Sequence, residues 1–259
     1  MATPKALIMT GNGLNCEEET AYAFEKAGAH SEIVHMDDVL SGEKKLEDHQ
    51  ILAFIGGFSF GDHMGAGTVQ ALKYQHHLKE DISKFMEKGL MIGICNGFQT
   101  MTRLGILPGF DQNYFSQKVA LSVNDSCRYE DRWINLRLNE TPCVFTKGIE
   151  NMFLPVRHGE GKLYAPKDII KRLFDDNLVV MQYCDEKNRV TMEYPNNPNG
   201  SLEAIAAICD PSGRILGMMP HPEAYVSPYH HPSWTREKGK LPEEGEGLKI
   251  FKNAVRYFD

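Results

Sequence analysis

The stretch that decides the fold is "LMIGICNGFQTMTRLG", residues 90–105. Residues 90–95 form an apolar run, and residues 96–105 read as a helix that ends at a glycine. A strand that passes straight into a helix is one βα unit of a parallel sheet. At the junction Cys95 stands between Gly93 and Gly97, in the form G-x-C-x-G. Glycines relieve crowding where a backbone folds back sharply, and the pattern resembles a nucleophile elbow. A cysteine at a helix N-terminus meets the positive end of the macrodipole, and thiolate is the attacking species. The competing reading is a small buried residue at a strand end.

Upstream, the same alternation repeats. "KALIMT" (5–10) reads as a strand ending in the turn "GNG". Asn15 is expected to open a helix, with Glu18 as its capping-box partner. "AYAFEKAG" (21–28) carries that helix to a glycine stop. "SEIVHM" (31–36) and "ILAFIGG" (51–57) read as strands, the second apolar throughout, as expected of a strand covered on both faces. Residues 67–88 read as one long helix. The pattern predicts an α/β fold with a doubly wound, mostly parallel sheet. Ligand sites in such sheets lie off the carboxyl ends of the strands.

Downstream, the period changes. "SQKVALSV" (116–123) and "RWINLRL" (132–138) alternate like antiparallel strands, and 153–164 continues that additional antiparallel region. A short helix (166–177) and a strand (178–184) follow. "AIAAICD" and "RILGMMPHPE" read as a hairpin around "DPSG". Residues 227–247 are polar and proline-bearing, the pattern of a surface insertion, and 247–258 reads as a closing amphipathic helix. No linker or repeat interrupts 1–259, which reads as a single domain.

A cysteine nucleophile needs a base, and the base needs an orienting group. "MMPHPE" (218–223) offers His221 and Glu223 two residues apart. Pro222 pushes His221 toward an extended conformation, in which i and i+2 share a side. Taken alone, the pair reads more readily as a surface turn that contains a His and a Glu. "GGFSFGD" (56–62) supplies a glycine-rich loop whose backbone N–H groups, with that of Asn96, suit a developing oxyanion.

Composition narrows the classes. The 259 residues carry a net charge of −7, which argues against a phosphate-backbone binder. The six cysteines form no CxxC pair, so zinc and thioredoxin-like readings lack support, and no metal site is expected. The absence of a signal-peptide pattern and of a long apolar span points to a cytoplasmic protein with reduced thiols. There is no phosphate-binding loop, so no cofactor is expected in this chain.

Together, "GGFSFGD", "GICNGFQ", "HGEG" (158–161), "YPNNPNGS" (194–201) and "GMMPHPE" resemble, in order, the motifs of the class I glutamine amidotransferases. The resemblance runs from about residue 5 to the last helix. "GGFSFGD", in place of the commoner G-G-P-G, and "YPNNPNGS" resemble a subgroup of that family that serves purine biosynthesis. The resemblance implies a flavodoxin-like fold. It implies Cys95 as nucleophile, His221 as acid and base, and Glu223 as its orienting group. The N–H groups of Gly57 (or Phe58) and Asn96 would form the oxyanion hole, and Gln99 would help bind L-glutamine. "HGEG" and "NPNGS" would line the glutamine site or a partner face. The implied partners are a larger synthetase subunit, which would bind ATP and Mg and act on formylglycinamide ribonucleotide, and a small third subunit. Ala224 and the segment "DHMGAG" (62–67) depart from the pattern: the first stands where relatives have a basic residue, the second lacks an expected Arg. Competing readings are a DJ-1/PfpI-like protein, a glutaminase for another synthetase, a catalytically inactive scaffold and a redox sensor. The first predicts neither the late H-P-E nor Gln99.

Overall fold

The computed structural model describes residues 3–259. The strands are β1 (Lys5–Thr10), β2 (His30–His35), β3 (Ile51–Phe54), β4 (Leu90–Ile94), β5 (Ala120–Val123), β6 (Glu130–Leu138), β7 (Asn151–His158), β8 (Glu160–Tyr164), β9 (Val179–Cys184), β10 (Ile205–Cys209) and β11 (Ile215–Met218). The helices are α1 (Glu17–Ala27), α2 (Met36–Leu40), α3 (Thr68–His77), α4 (Lys79–Met86), α5 (Asn96–Arg103), α6 (Lys167–Asp175) and α7 (Leu248–Arg256). No helix among the described residues is long and apolar enough to cross a membrane.

One nine-stranded sheet runs in the order β2-β1-β3-β4-β11-β10-β9-β6-β7. From β2 to β11 every pairing is parallel. From β11 to β7 every pairing is antiparallel. The parallel part has the 2-1-3-4-5 order of flavodoxin-like sheets, with β11 in the fifth place. The additional antiparallel region expected from the sequence is thus continuous with the parallel one, and only β5 and β8 pair apart from it. β3, β4 and β11 are buried at every residue, which explains their unbroken apolar runs. α1 and α7 meet through Phe24 and Phe251, ring centroids 4.9 Å apart. α5 lies against β3, β4 and β11.

Several local expectations need correction. Helix α1 starts at Glu17, and Cys16, not Asn15, is its N-cap, without a side-chain cap. Asn15 is held elsewhere, its N–H donating to Gly56 O at 3.3 Å. Three glutamates in the first turn, Glu17, Glu18 and Glu19, meet the positive helix end instead. The helix expected over 67–88 breaks at Leu78, which has φ −121° and ψ 6°. Leu78 is buried there, and α3 and α4 bury separate faces, Ala71 and Tyr74 in one and Ile82, Phe85 and Met86 in the other. The third strand ends at Phe54. The 153–164 region divides at Gly159 into β7 and β8. α2 went unread in the sequence.

Segment 227–247 is mostly exposed or half-buried, but its ends are fixed. His231 packs among Trp133, Phe153 and Tyr225, with ring centroids 5.7–5.9 Å away. Glu246 accepts from Phe153 N at 2.7 Å.

The tightest approach lies where α5 leaves the sheet. A Cβ on Gly97 would stand 1.9 Å from the carbonyl oxygen of Phe54 in β3. Gly97→Ala is expected to destabilise the chain by about 1–3 kcal/mol, because backbone must move to admit the methyl. Gly159→Ala, with nothing within 4 Å of the added carbon, should stay within about 1 kcal/mol of wild type. Urea unfolding of both variants checks this; equal stabilities would contradict it.

Candidate active site

The site is assembled where β1, β3, β4 and β11 empty at their carboxyl ends. β4 delivers Cys95 at φ 51° and ψ −106°. A non-glycine residue held at positive φ costs about 1–3 kcal/mol. The surroundings hold it there: Cys95 N donates to Met218 O at 2.8 Å, and Cys95 O accepts from Gln99 N at 3.0 Å. Gly93 makes the turn possible, since a Cβ on it would lie 2.3 Å from Met101 Sδ.

β11 delivers His221, whose Nδ1 lies 2.5 Å from Glu223 Oε1. The expected continuous extended chain is not what aligns them. His221 is roughly extended (φ −103°, ψ 90°), but Pro222–Ala224 forms a 3₁₀ turn. Proline is suited to the first position of such a turn, and the turn brings the carboxylate back to the ring. Both side chains are about 2% exposed. Burial alone would lower the His221 pKa, but the Glu223 carboxylate and the Cys95 sulfur beside it raise it well above its ordinary value.

Although three strands separate β11 from β7 in the sheet, the sheet curls far enough for the two ends to meet. His221 N donates to Pro155 O at 2.9 Å. The Cys95 thiol donates to Arg157 O at 3.5 Å, while His221 Nε2 is buried with no hydrogen-bond partner. The thiol and the base are therefore neighbours whose mutual hydrogen bond is not closed in this state. Such bonds often tighten only in the substrate complex.

Of the two alternatives for the loop donor, the N–H of Phe58 is committed to Gly13 O at 2.8 Å. The N–H of Gly57 has no backbone acceptor among the described residues, and that of Asn96 stands at the first position of α5, where no intrahelical partner exists. Gln99 is 4% exposed and bonded within the protein, accepting from Asn96 Nδ2 and donating to Glu160 O. The loop 194–201 turns its polar groups inward: Asn199 donates to Gly161 O and to Tyr183 Oη, and Ser201 Oγ accepts from Leu163 N.

Cys16 escaped the sequence reading, while His158 and Asp62 lie in "HGEG" and "GGFSFGD", motifs read as lining the site without roles of their own. Cys16 stands beside His221, and its thiol is pushed up by burial although the neighbouring imidazole pulls it down. Cys16, His221 and Glu223 place ligand-type atoms within 4.8 Å of one another. His221 and Glu223 are, however, bonded to each other, closer than two ligands about 2.0–2.1 Å from one tetrahedral ion would stand. His158 is held down to about 3 by burial and by the charge of His221, so it is a neutral ring, with Nδ1 against Asn124 Oδ1 at 3.1 Å. Asp62 approaches from the loop after β3. Spacing gave no signal for Cys16, which reaches the site only through the fold.

The elbow, the glycine loop after β3 and the buried imidazole–carboxylate pair define a glutamine amidotransferase. The chain belongs to this family: the family model described as "CobB/CobQ-like glutamine amidotransferase domain" matches residues 3–258. It is similar to the phosphoribosylformylglycinamidine synthase subunit PurQ of Dehalococcoides mccartyi, 47% identical over 99% of this chain and 98% of that protein. The same-named subunit of Methanococcus maripaludis is 44% identical, again over 99% of this chain and 98% of that protein. Among solved structures, the chain is similar over its whole length, and over the whole of the other chain, to one in "Structure of PurLQS from Thermotoga maritima", with TM-score 0.74 and 28% identity.

Asp62 supplies a prediction. Burial first and Glu160 second push its carboxyl from the ordinary 3.8 up to about 6. The folded state then holds a proton that the unfolded state has released. Stability contributed by this group is present below about pH 4 and is lost as pH rises through about 6. Asp62→Asn, which keeps an acceptor for Asn96, should therefore gain on wild type between pH 4 and 6 and stay ahead at pH 8. Thermal melting of both proteins at pH 4 and pH 8 measures this; a pH-independent difference would contradict it.

Proposed function

We propose that this chain is the glutaminase subunit of a phosphoribosylformylglycinamidine synthase. In this reading it supplies ammonia for the conversion of formylglycinamide ribonucleotide to formylglycinamidine ribonucleotide. The reading is carried by one observation, the buried His221–Glu223 pair beside an elbow cysteine. Similarity to the PurQ subunits over nearly the full length supports the pathway.

In the proposed mechanism, Cys95 attacks the side-chain carboxamide carbon of L-glutamine. The N–H groups of Gly57 and Asn96 hold the oxyanion. His221 takes the thiol proton and gives it to the departing amine, so the C–N bond breaks, ammonia leaves and a γ-glutamyl thioester remains. His221 then takes a proton from water, the hydroxide displaces the thiolate, and the proton returns to sulfur. Glu223 holds the tautomer in which Nδ1 carries hydrogen and Nε2 faces the thiol.

We read residues 1–259 as one amidotransferase unit, with 227–247 as a surface segment of it, working in the cytoplasm. The synthetase subunit would bind ATP and Mg, with a small third subunit completing the assembly. The open Cys95–His221 bond supports a resting site that docking tightens.

The test is glutamate release from glutamine by wild type and Cys95→Ala. Each is measured alone and with the synthetase subunits, ATP and formylglycinamide ribonucleotide. Cys95→Ala should lose about three orders of magnitude or more, and the full assembly should raise wild-type turnover about tenfold or more. Turnover that ignores Cys95 would overturn the mechanism. Turnover that ignores the partners would move the pathway elsewhere.

A further inference from the structure

β7 ends at His158 and β8 begins at Glu160, and between them the backbone changes partner, from β6 in the large sheet to β5 in the small one. Gly159 belongs to neither strand, and a Cβ on it would meet nothing within 4 Å, so packing does not fix the chain there. Yet the carbonyls around this junction serve the site. Pro155 O accepts from His221 N, Arg157 O from the Cys95 thiol and Glu160 O from Gln99. A carbonyl that positions a thiol must itself be held.

One side chain holds the first half of the junction. Asn124 directly follows β5 and is 1% exposed. Its Nδ2 donates to His158 O at 2.8 Å and to Arg128 O at 2.9 Å. With both amide hydrogens on carbonyls, the orientation of the amide is fixed, and its Oδ1 lies 3.1 Å from His158 Nδ1. An amide oxygen only accepts, so Nδ1 is the nitrogen of that neutral ring that carries hydrogen. The backbone adds a further bond, from Asn124 N to Gly159 O at 3.0 Å. His158 is thus gripped at its ring and at its carbonyl by one amide. The peptide plane that carries Arg157 O ends in His158 N, and that plane is rigid. Holding His158 therefore aims Arg157 O.

The turn after β5 does not itself require this reach, since Cys127 N closes it on Asn124 O at 2.8 Å. The second half of the junction has its own holders. Asn199 Nδ2 donates to Gly161 O at 2.8 Å, and Ser201 Oγ donates to the same oxygen at 3.3 Å. That half carries the contact to Gln99.

We propose that Asn124 is a positioning residue for the hydrolysis: by fixing His158 it holds the carbonyls of Arg157 and Pro155 where they set the Cys95 thiol against His221. This rests on the glutaminase reading and goes beyond it. Asn124 touches neither the substrate nor the reacting atoms, and acts only through the backbone of 155–159.

The test is steady-state glutamate release by the full chain assembled with its synthetase subunits, ATP and formylglycinamide ribonucleotide. Asn124→Asp keeps the size of the side chain and the acceptor for His158 Nδ1, but sets a carboxylate oxygen against the carbonyls of His158 and Arg128. Asn124→Ser is made beside it, since it buries no charge and serves where the aspartate does not fold. The control is Asn253→Asp in α7, where the amide donates to Phe145 O at 2.9 Å and to Lys147 O at 3.0 Å. It loses the same kind of bonds in a different place. Thermal melting shows which variants fold. The Asn124 variants should lower kcat about ten- to hundredfold, the loss expected when a reacting group is misplaced by up to about 1 Å. They should hold the KM for glutamine within about threefold, and Asn253→Asp should keep kcat within about twofold of wild type. Equal losses of kcat in the Asn124 and Asn253 variants would show a general effect of stability and overturn the role. So would a wild-type kcat in a folded Asn124 variant, a KM that rises as far as kcat falls, or failure of both Asn124 variants to fold where Asn253→Asp does. A wild-type assembly that releases no glutamate would overturn the glutaminase reading itself, and the positioning role with it.

Discussion

Everything in the site depends on how closely α5 leaves β4. With no side chain at Gly97, the first turn of α5 rests on the carbonyl of Phe54 at the end of β3. That contact forces the backbone to reverse within one residue, and the residue is Cys95, at φ 51°. The strain is tolerated because the bonds to Met218 O and Gln99 N over-determine it. The same closeness brings Asn96 to the loop after β3, so the proposed nucleophile and the proposed anion donors come from a single packing decision. A larger residue at 97 would separate the two before it changed any chemistry.

The antiparallel half of the sheet supplies the cover. Its curl returns β7, and with it the start of the separately paired β8, across the mouth of the parallel half, where Pro155 O, Arg157 O and Glu160 O take hydrogen bonds from His221, Cys95 and Gln99. The backbone of 155–160 is therefore bonded to three residues of the site at once. A small shift of this strap would move the thiol relative to His221 Nε2. That gives a physical route by which a protein docked near β7 and β8 would change turnover without contributing a catalytic group. Phe58 and Tyr129 are exposed, with ring centroids 6.1 Å apart, and Tyr129 directly precedes β6, the strand paired with β7.

The parallel half was largely legible in the sequence because its signals are local. Apolar runs at 5–10, 51–54 and 90–94 report strands buried on both faces, and Gly28 stops α1 with φ 103°. The elbow and the late H-P-E were legible because glycine and proline spacing carries backbone geometry. Helix ends were less so. Asn15 looked like a cap until tertiary bonding to Gly56 claimed its backbone, and Leu78 looked helical until burial turned it inward. The 3₁₀ turn at Pro222 reached the expected His–Glu contact by a different backbone route. Cys16 was invisible as a neighbour of Cys95, and Asp62, His158 and Glu160 were placed only through the motifs "GGFSFGD" and "HGEG", since the curl of the sheet and the loop after β3 decide which of their atoms come near.

The central claim is that Cys95, and not the neighbouring thiol of Cys16, carries the acyl group. The most direct measurement is acid quench of the assembled enzyme during turnover of isotopically labelled glutamine, followed by peptide mass spectrometry. The account predicts a γ-glutamyl adduct on the peptide that contains Cys95, more abundant when Glu223 is replaced by Gln and deacylation slows. An adduct on Cys16, or steady glutamate release with no cysteine adduct in either protein, would contradict it.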